Sequence, residues 1–293
     1  MPLCTLHLLS LTPTTSLSAF LADLSANLPT PRPLTIARVL RWIITPTSLS
    51  ADPLRSHTWD LLLVLPTADA ALPDALGTHI AARWSVTFGV PSRVLEGYAE
   101  KNARLLQPRA GDVPALSPAL SGVWGTGPPT TKSAQGLELS GELLDWMREQ
   151  QPQQRGARGA AGPPVSMLNL LAFRDGMKPE YLKYGRAFAE SVGSSRGGVA
   201  KVVGTVVRDG KGWGVQGKDG DRGEKVWDEV ALAHYPSIWH FADMLASDDY
   251  QAVNRKYRVG SLKDTFILCT TEVGLPGIDG KEKGSQGRSA AKL

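Results

Sequence analysis

The chain predicts an α+β fold built from two similar units in tandem, each an antiparallel sheet with helices on one face. Three observations carry this. Between Val165 and Val273 the apolar periodicity changes in the order strand, helix, strand, strand, helix, strand. From Leu3 onward the first half begins the same order. Between them lies a stretch rich in Pro, Gly, Ser and Gln, including QQPQQRGARGAAGPP, which cannot bury enough apolar surface to offset the cost of ordering. The order βαββαβ is that of a ferredoxin-like unit. The expected organisation is a degenerate unit at 1–106, a linker at 107–164 with a short helix near 140–150, a complete unit at 165–275, and a basic disordered tail at 276–293.

In the first unit, LCTLHLLSL (Leu3 to Leu11) is a short apolar strand closed by a Thr/Pro turn. Ser16 caps a helix carrying Leu17, Phe20, Leu21, Leu24 and Leu28, and the prolines from Pro29 to Pro33 stop it. Leu34 to Ile44 alternates as a strand, with Ile36, Arg38, Leu40 and Trp42 on one face. Thr58 to Leu65 is the third strand. A helix is then expected from Pro73, carrying Leu76, Ile80 and Trp84, followed by a second helix from Pro91 with Val94, Leu95, Tyr98 and Leu105 on its apolar stripe. The fourth strand of this unit is missing or displaced.

In the segment 107–164, Ser140 with Leu143, Leu144, Trp146 and Met147 reads as a short amphipathic helix ending near Gln151, and Trp124 is a packing anchor or a ligand-stacking ring. The second unit runs through a strand at Val165 to Phe173, a helix at Pro179 to Val192 and a strand at Val199 to Arg208. A glycine- and charge-rich hairpin loop from Asp209 to Lys225 follows, then a strand at Val226 to Tyr235, a helix at Pro236 to Ala246, and a strand at Thr265 to Val273.

Composition excludes several classes. The net charge is +4, yet Val165 to Val273 holds 15 Lys/Arg against 14 Asp/Glu, so no basic recognition surface for nucleic acid is expected. Cys4 and Cys269 lie far apart in strand-like runs and read as buried thiols of a reducing compartment. The apolar start at Met1 to Leu11 is too short and interrupted for a signal or membrane segment, so a cytoplasmic protein without membrane contact is expected. The glycine-rich run from Gly210 to Asp221 lacks a phosphate-loop pattern, and its AspGlyAspArgGly lacks the distal Glu of a calcium loop.

A family resemblance rests on Tyr235, Pro236 and Ser237 at a helix start, Ser247 and Tyr250 at a corner, Arg258 beyond it, and the opening strand Met167 to Phe173. With these residues, Val165 to Val273 resembles a family of proteins of unknown function in the dimeric α/β-barrel superfamily. The whole chain is also similar in layout to uncharacterised fungal proteins with the motifs that begin here at Gly89 and Ser133. The resemblance implies a ferredoxin-like unit whose exposed sheet face pairs with a second one around a cavity. The pairing is either internal, a pseudo-dimer, or between two chains as a homodimer.

The candidate catalytic residues are His234 and Asn169. His234 shares a strand face with Val230 and Leu232, where it is a hydrogen-bonded core residue or, as neutral imidazole, a base toward an acidic carbon or phenol. Asn169, on the side of Met167, Leu171 and Phe173, ties a neighbouring strand or polarises a substrate carbonyl. The candidate substrate-binding residues are Tyr181, Tyr184, Tyr235, Tyr250 and Arg258. The tyrosines line a core or a cavity, and Arg258 pairs with Asp248, Asp249 or Asp264 or binds a substrate carboxylate. The five histidines show no metal spacing, and no cofactor is expected. Haem would need His234 or His240 as axial ligand. Two functions follow: a cofactor-independent oxygenase, cyclase, isomerase or decarboxylase acting on a small hydrophobic or phenolic molecule, or a non-catalytic ligand-binding or assembly module.

Overall fold

The structure, a computed structural model, describes residues 1–49, 52–69, 71–109, 111–120, 136–158, 162–209, 213–214 and 226–275. The first half supplies β1 (Leu3–Leu11), α1 (Leu17–Ala26), β2 (Thr35–Ile44), α2 (Asp52–Arg55), β3 (Leu61–Leu65), β4 (Ile80–Gly89), α3 (Ser92–Leu95) and α4 (Tyr98–Leu106). After α5 (Gly141–Arg158) come β5 (Val165–Phe173), α6 (Lys178–Ala187), β6 (Val199–Asp209), β7 (Trp213–Gly214), β8 (Glu229–Tyr235), α7 (Ile238–Ala246), α8 (Asp248–Val253) and β9 (Leu262–Glu272). Two wide π-helical turns, Phe188–Val192 and Asn254–Arg258, continue α6 and α8. No helix among the described residues is long and apolar enough to cross a membrane.

Eight strands close into an antiparallel barrel in the order β1-β3-β2-β9-β5-β8-β6-β4, with β4 returning to β1. The first-half strands stand in the order β4-β1-β3-β2 and the second-half strands in the order β9-β5-β8-β6. The seams are β2 with β9 and β4 with β6, so the second strand of each half meets the fourth strand of the other. Among the described residues closure leaves no long unpaired edge, and β7 extends the β6 side of β4 at Ala82 and Arg83.

The strand predicted to be missing is β4. The chain between Pro73 and Ile80 makes only a short 3-10 turn, Asp74–His79, and then extends, pairing with β1 from Leu3↔Gly89 to Leu11↔Ile80. Leu76, Ile80 and Trp84 are spaced by four, which fits both a helix and a strand. The residues beyond decide it, because Val86, Thr87 and Phe88 are strand formers and Ala82, Trp84, Val86 and Phe88 alternate toward the apolar core. The helix in the middle segment also runs further than expected, to Arg158 instead of ending near Gln151. Trp124, most of the glycine-rich loop and the tail 276–293 lie outside the described residues.

Alternation sorts the strand residues into three cores. The barrel interior takes Leu6, Leu62, Val64, Phe88, Leu168, Leu232, Phe266 and Leu268. Leu9, Leu61, Leu63 and Leu65 face outward and pack on Phe20, Leu21 and Leu24 of α1. The outer face of the second half, with Met167, Leu171, Ile267 and Cys269, is covered by α5 to α8. Described parts of the middle segment join this last core, where Leu120, Leu137, Leu139 and Met147 are buried. Ser117 donates to Asp243, and the Pro114 carbonyl lies 3.0 Å from His240 Nε2.

Candidate functional site

One end of the barrel is polar. Val230, Leu232 and His234 alternate along β8 toward the interior, so the last of them reaches the barrel end, where it is 1% exposed. On β6 the register to β8 shifts between Ala200 and Val202, and Lys201 is the extra residue of this bulge. Its side chain, 1% exposed, turns inward and donates to Glu272 Oε1 at the end of β9. From above, α4 closes the opening. Asn102 Nδ2 donates to Glu272 Oε2 at 2.7 Å, and Tyr98 Oη lies 2.8 Å from Thr35 Oγ1 of β2. The turn into α4 is made by Gly97 with φ of 62°, a left-handed conformation suited to glycine.

Burial sets the electrostatics here. It lowers the His234 pKa to about 3, with the neighbouring Lys201 charge pushing the same way, so the ring is neutral near pH 7. Burial pulls Lys201 down as well, opposed by Glu272, and pushes the Tyr98 phenol up with help from the Glu272 carboxylate. Among the described residues, two buried polar atoms at this end make no hydrogen bond: His234 Nδ1 and Asn102 Oδ1. Buried polar atoms are nearly always partnered, so two orphans beside an ion pair mark a place that accommodates a polar group.

The five residues expected to bind substrate do meet, but elsewhere. Tyr181 and Tyr184 of α6, Tyr235 at the end of β8, Tyr250 of α8 and Arg258 share the layer between the second-half sheet and its helices. Tyr184 Oη and Tyr250 Oη are 3.2 Å apart, the Tyr181 and Tyr184 ring centroids 5.4 Å, and Tyr235 Oη donates to Met244 Sδ at 3.6 Å. Burial raises all four phenols, and the Arg258 guanidinium, 1% exposed, acts against it on each. Asp249 is engaged by Arg196 at 2.9 Å, and Asp264 accepts from the backbone amides of Thr47, Ser48 and Leu49.

Asn169 also faces this outer layer, with Nδ2 donating to the Met167 carbonyl at 2.9 Å. It pairs across β5 and β8 with Ala231, whereas His234 pairs with Ser166. An odd offset along β5 separates Ser166 from Asn169, so His234 and Asn169 stand on opposite faces of the sheet and cannot act on one molecule. His240 is held by Ser237 at 2.8 Å and by the Pro114 carbonyl. A further buried histidine lies on the outer face of the first half, where His7 Nδ1 is 2.7 Å from Ser85 Oγ. No group of three or more His, Cys, Asp or Glu among the described residues is placed to hold a metal ion.

Lys201, Glu272, Asn102 and Tyr98 were not among the sequence candidates. Two signals pointed to the ion pair: a lone Lys inside the run VAKVVGTVV and a lone Glu ending FILCTTE, opposite charges in otherwise apolar strands. Two surface clefts lie away from the barrel end. One of about 380 Å³ is lined by Leu72, Asp74, Ile80 and Arg83, and one of about 220 Å³ by Arg41, Leu137, Glu138 and Leu143.

No family model matches the chain, and no curated protein matches it either. Among solved structures, a protein of unknown function from Rhodopseudomonas palustris is 22% identical over 51% of this chain and 99% of its own, with a TM-score of 0.34. The methylated form of that protein is 26% identical over 39% and 83%, with a TM-score of 0.30. A Lactobacillus acidophilus NCFM protein, described provisionally as a monooxygenase, is 8% identical over 93% of this chain and 94% of its own, with a TM-score of 0.43. These overlaps are too loose to carry an argument about this chain.

Proposed function

We propose that 1–106 and 165–275 are two ferredoxin-like units that pair within one chain as a dimeric α/β barrel, and that the polar barrel end is the site of a cofactor-independent enzyme. The exchanged pairing of second and fourth strands at both seams supports the first part. The second rests on one observation, the orphaned His234 Nδ1 and Asn102 Oδ1 beside the Lys201–Glu272 pair. The ligand is a small hydrophobic molecule with one acidic O–H or C–H, a phenol or an enolisable ketone, entering when α4 lifts.

His234 is neutral and takes the proton on Nδ1. The negative charge that develops on the substrate oxygen then raises the imidazolium pKa, so the base strengthens as the proton moves. Lys201, in a poorly solvated environment, stabilises that oxygen. An enolate or phenolate so formed is the common first intermediate of isomerisation, cyclisation, decarboxylation and oxygenation. In this reading the tyrosine layer with Arg258 is the wall that holds β8 in place, and substrate contact there would involve a different molecule.

A second reading, a non-catalytic ligand-binding or assembly module, is favoured by the bulky side chains that fill the barrel between its ends, such as Phe88, Phe266 and Trp84. A panel of phenols and enolisable ketones, screened by thermal unfolding and calorimetry, separates the two. The enzyme reading expects at least one to bind the wild-type chain, with binding lost in His234→Ala and in Asn102→Leu. Binding that survives both substitutions places the site elsewhere, binding through His234 with no chemical change in any bound member supports the ligand-binding module, and no binding by any member supports the assembly module.

A further inference from the structure

We propose that Lys201 is a nucleophile that forms an imine with a small apolar aldehyde or ketone at the closed end of the barrel. The inference rests on the reading of that end as a ligand site, and deepens it by naming a carbonyl compound as the substrate class. Position is the first argument. Lysine is almost never fully buried unless paired, and a strand register without the bulge would leave this side chain no inward place. The fold turns it inward at the end that also carries the orphaned His234 Nδ1 and Asn102 Oδ1.

The second argument is the company it keeps. Lys201 Nζ is bonded to Glu272 Oε1, while the other oxygen of Glu272 is held by Asn102, so the carboxylate is fixed as the partner that exchanges a proton with the amine. Tyr98, whose ring centroid lies 6.0 Å from Nζ, keeps its phenolic proton because burial raises its pKa. His234 Nδ1 is left to take a proton from the carbon next to the carbonyl. Burial also lowers the Lys201 pKa, which increases the free amine available near neutral pH.

The step balances without an oxidant or reductant. Glu272 takes a proton from Nζ, and the amine lone pair forms the C–N bond while the carbonyl π pair moves to oxygen, which is protonated by Tyr98. A proton of the carbinolamine's ammonium nitrogen first returns to the Tyr98 oxygen, which frees the nitrogen lone pair. The carbinolamine then loses its hydroxyl as water, using the proton held by Glu272, while that lone pair closes the C=N bond and leaves the imine protonated. One carbonyl and one amine give one imine and one water. Protonated, the imine draws electrons from the adjacent carbon, and loss of a proton to His234 or of carbon dioxide follows.

The test is reductive trapping on the full chain, with benzaldehyde and cyanoborohydride near neutral pH, and peptide mapping by mass spectrometry. Lys201 is expected to be benzylated several-fold faster than an exposed lysine such as Lys183, because burial lowers its pKa and leaves more free amine near neutral pH. Lys201→Arg, which keeps the cation beside Glu272, is expected to lose that fast label. Glu272→Gln, an independent variant, is expected to slow it. Labelling confined to exposed lysines overturns the proposal. If Lys201 stays unlabelled while the phenol and ketone panel still binds through His234, the imine falls and the barrel-end site stands; if neither occurs, both fall.

Discussion

His234 and His7 are buried as neutral rings, each with its pKa lowered to about 3. In the unfolded chain both take up a proton near 6.5, so between those values the unfolded state binds more protons and stability rises with pH. The contribution is present above about 6.5 and is lost as the pH falls toward 3, at up to roughly 1.4 kcal/mol per pH unit for each ring. Urea unfolding of His234→Gln between about pH 4 and 6.5 is therefore expected to show a shallower slope than wild type. An unchanged slope would mean that His234 is not held neutral. Asp264 carries a different load. It caps the amides of Thr47, Ser48, Leu49 and Thr265, and Asp264→Ala strands them, with an expected loss of roughly 3 kcal/mol or more by chemical denaturation. At this scale the sequence was half legible. The alternation of Val230, Leu232 and His234 told which face the histidine takes, and that of β5 told that Asn169 sits with Met167. What alternation cannot give is the pairing register, and only Ser166↔His234 shows the two candidates on opposite faces.

The elements that were misread share one cause, a local pattern compatible with two outcomes. Spacing of four satisfies helix and strand alike, which hid β4 behind Leu76, Ile80 and Trp84. The lone charge of Lys201 stands out in the run VAKVVGTVV, but the bulge leaves no mark there, so its inward direction was not legible until β6 was paired with β8. The seam between β4 and β6 offers a test of element packing. A Cβ on Gly204 would lie 2.5 Å from the Gly89 carbonyl oxygen and 2.6 Å from a Phe88 ring carbon, so the two strands approach as closely as they do only because this residue has no side chain. Gly204→Val is expected to cost about 3 kcal/mol by denaturant unfolding, whereas Gly77→Ala, with nothing within 4 Å of its added carbon, is expected to change stability by less than about 0.5 kcal/mol. Equal effects at the two positions would contradict the seam.

At the scale of the whole molecule, closure joins the elements to the site. Each half alone would expose two sheet edges and a polar end open to water. Joined at β2–β9 and β4–β6, the halves bury Lys201 with Glu272 and bring α4 over that pair. The strands and helices of the second half and the first three strands of the first were legible, because periodicity reports element type directly. How the halves meet was not, since no local signal encodes which edge pairs with which. If one chain closes its own barrel around a small-molecule site, native mass spectrometry of gently purified protein shows a particle of one chain that binds a phenol or ketone from the panel, with binding lost in His234→Ala. A two-chain particle, or a one-chain particle that binds none of them, overturns that reading.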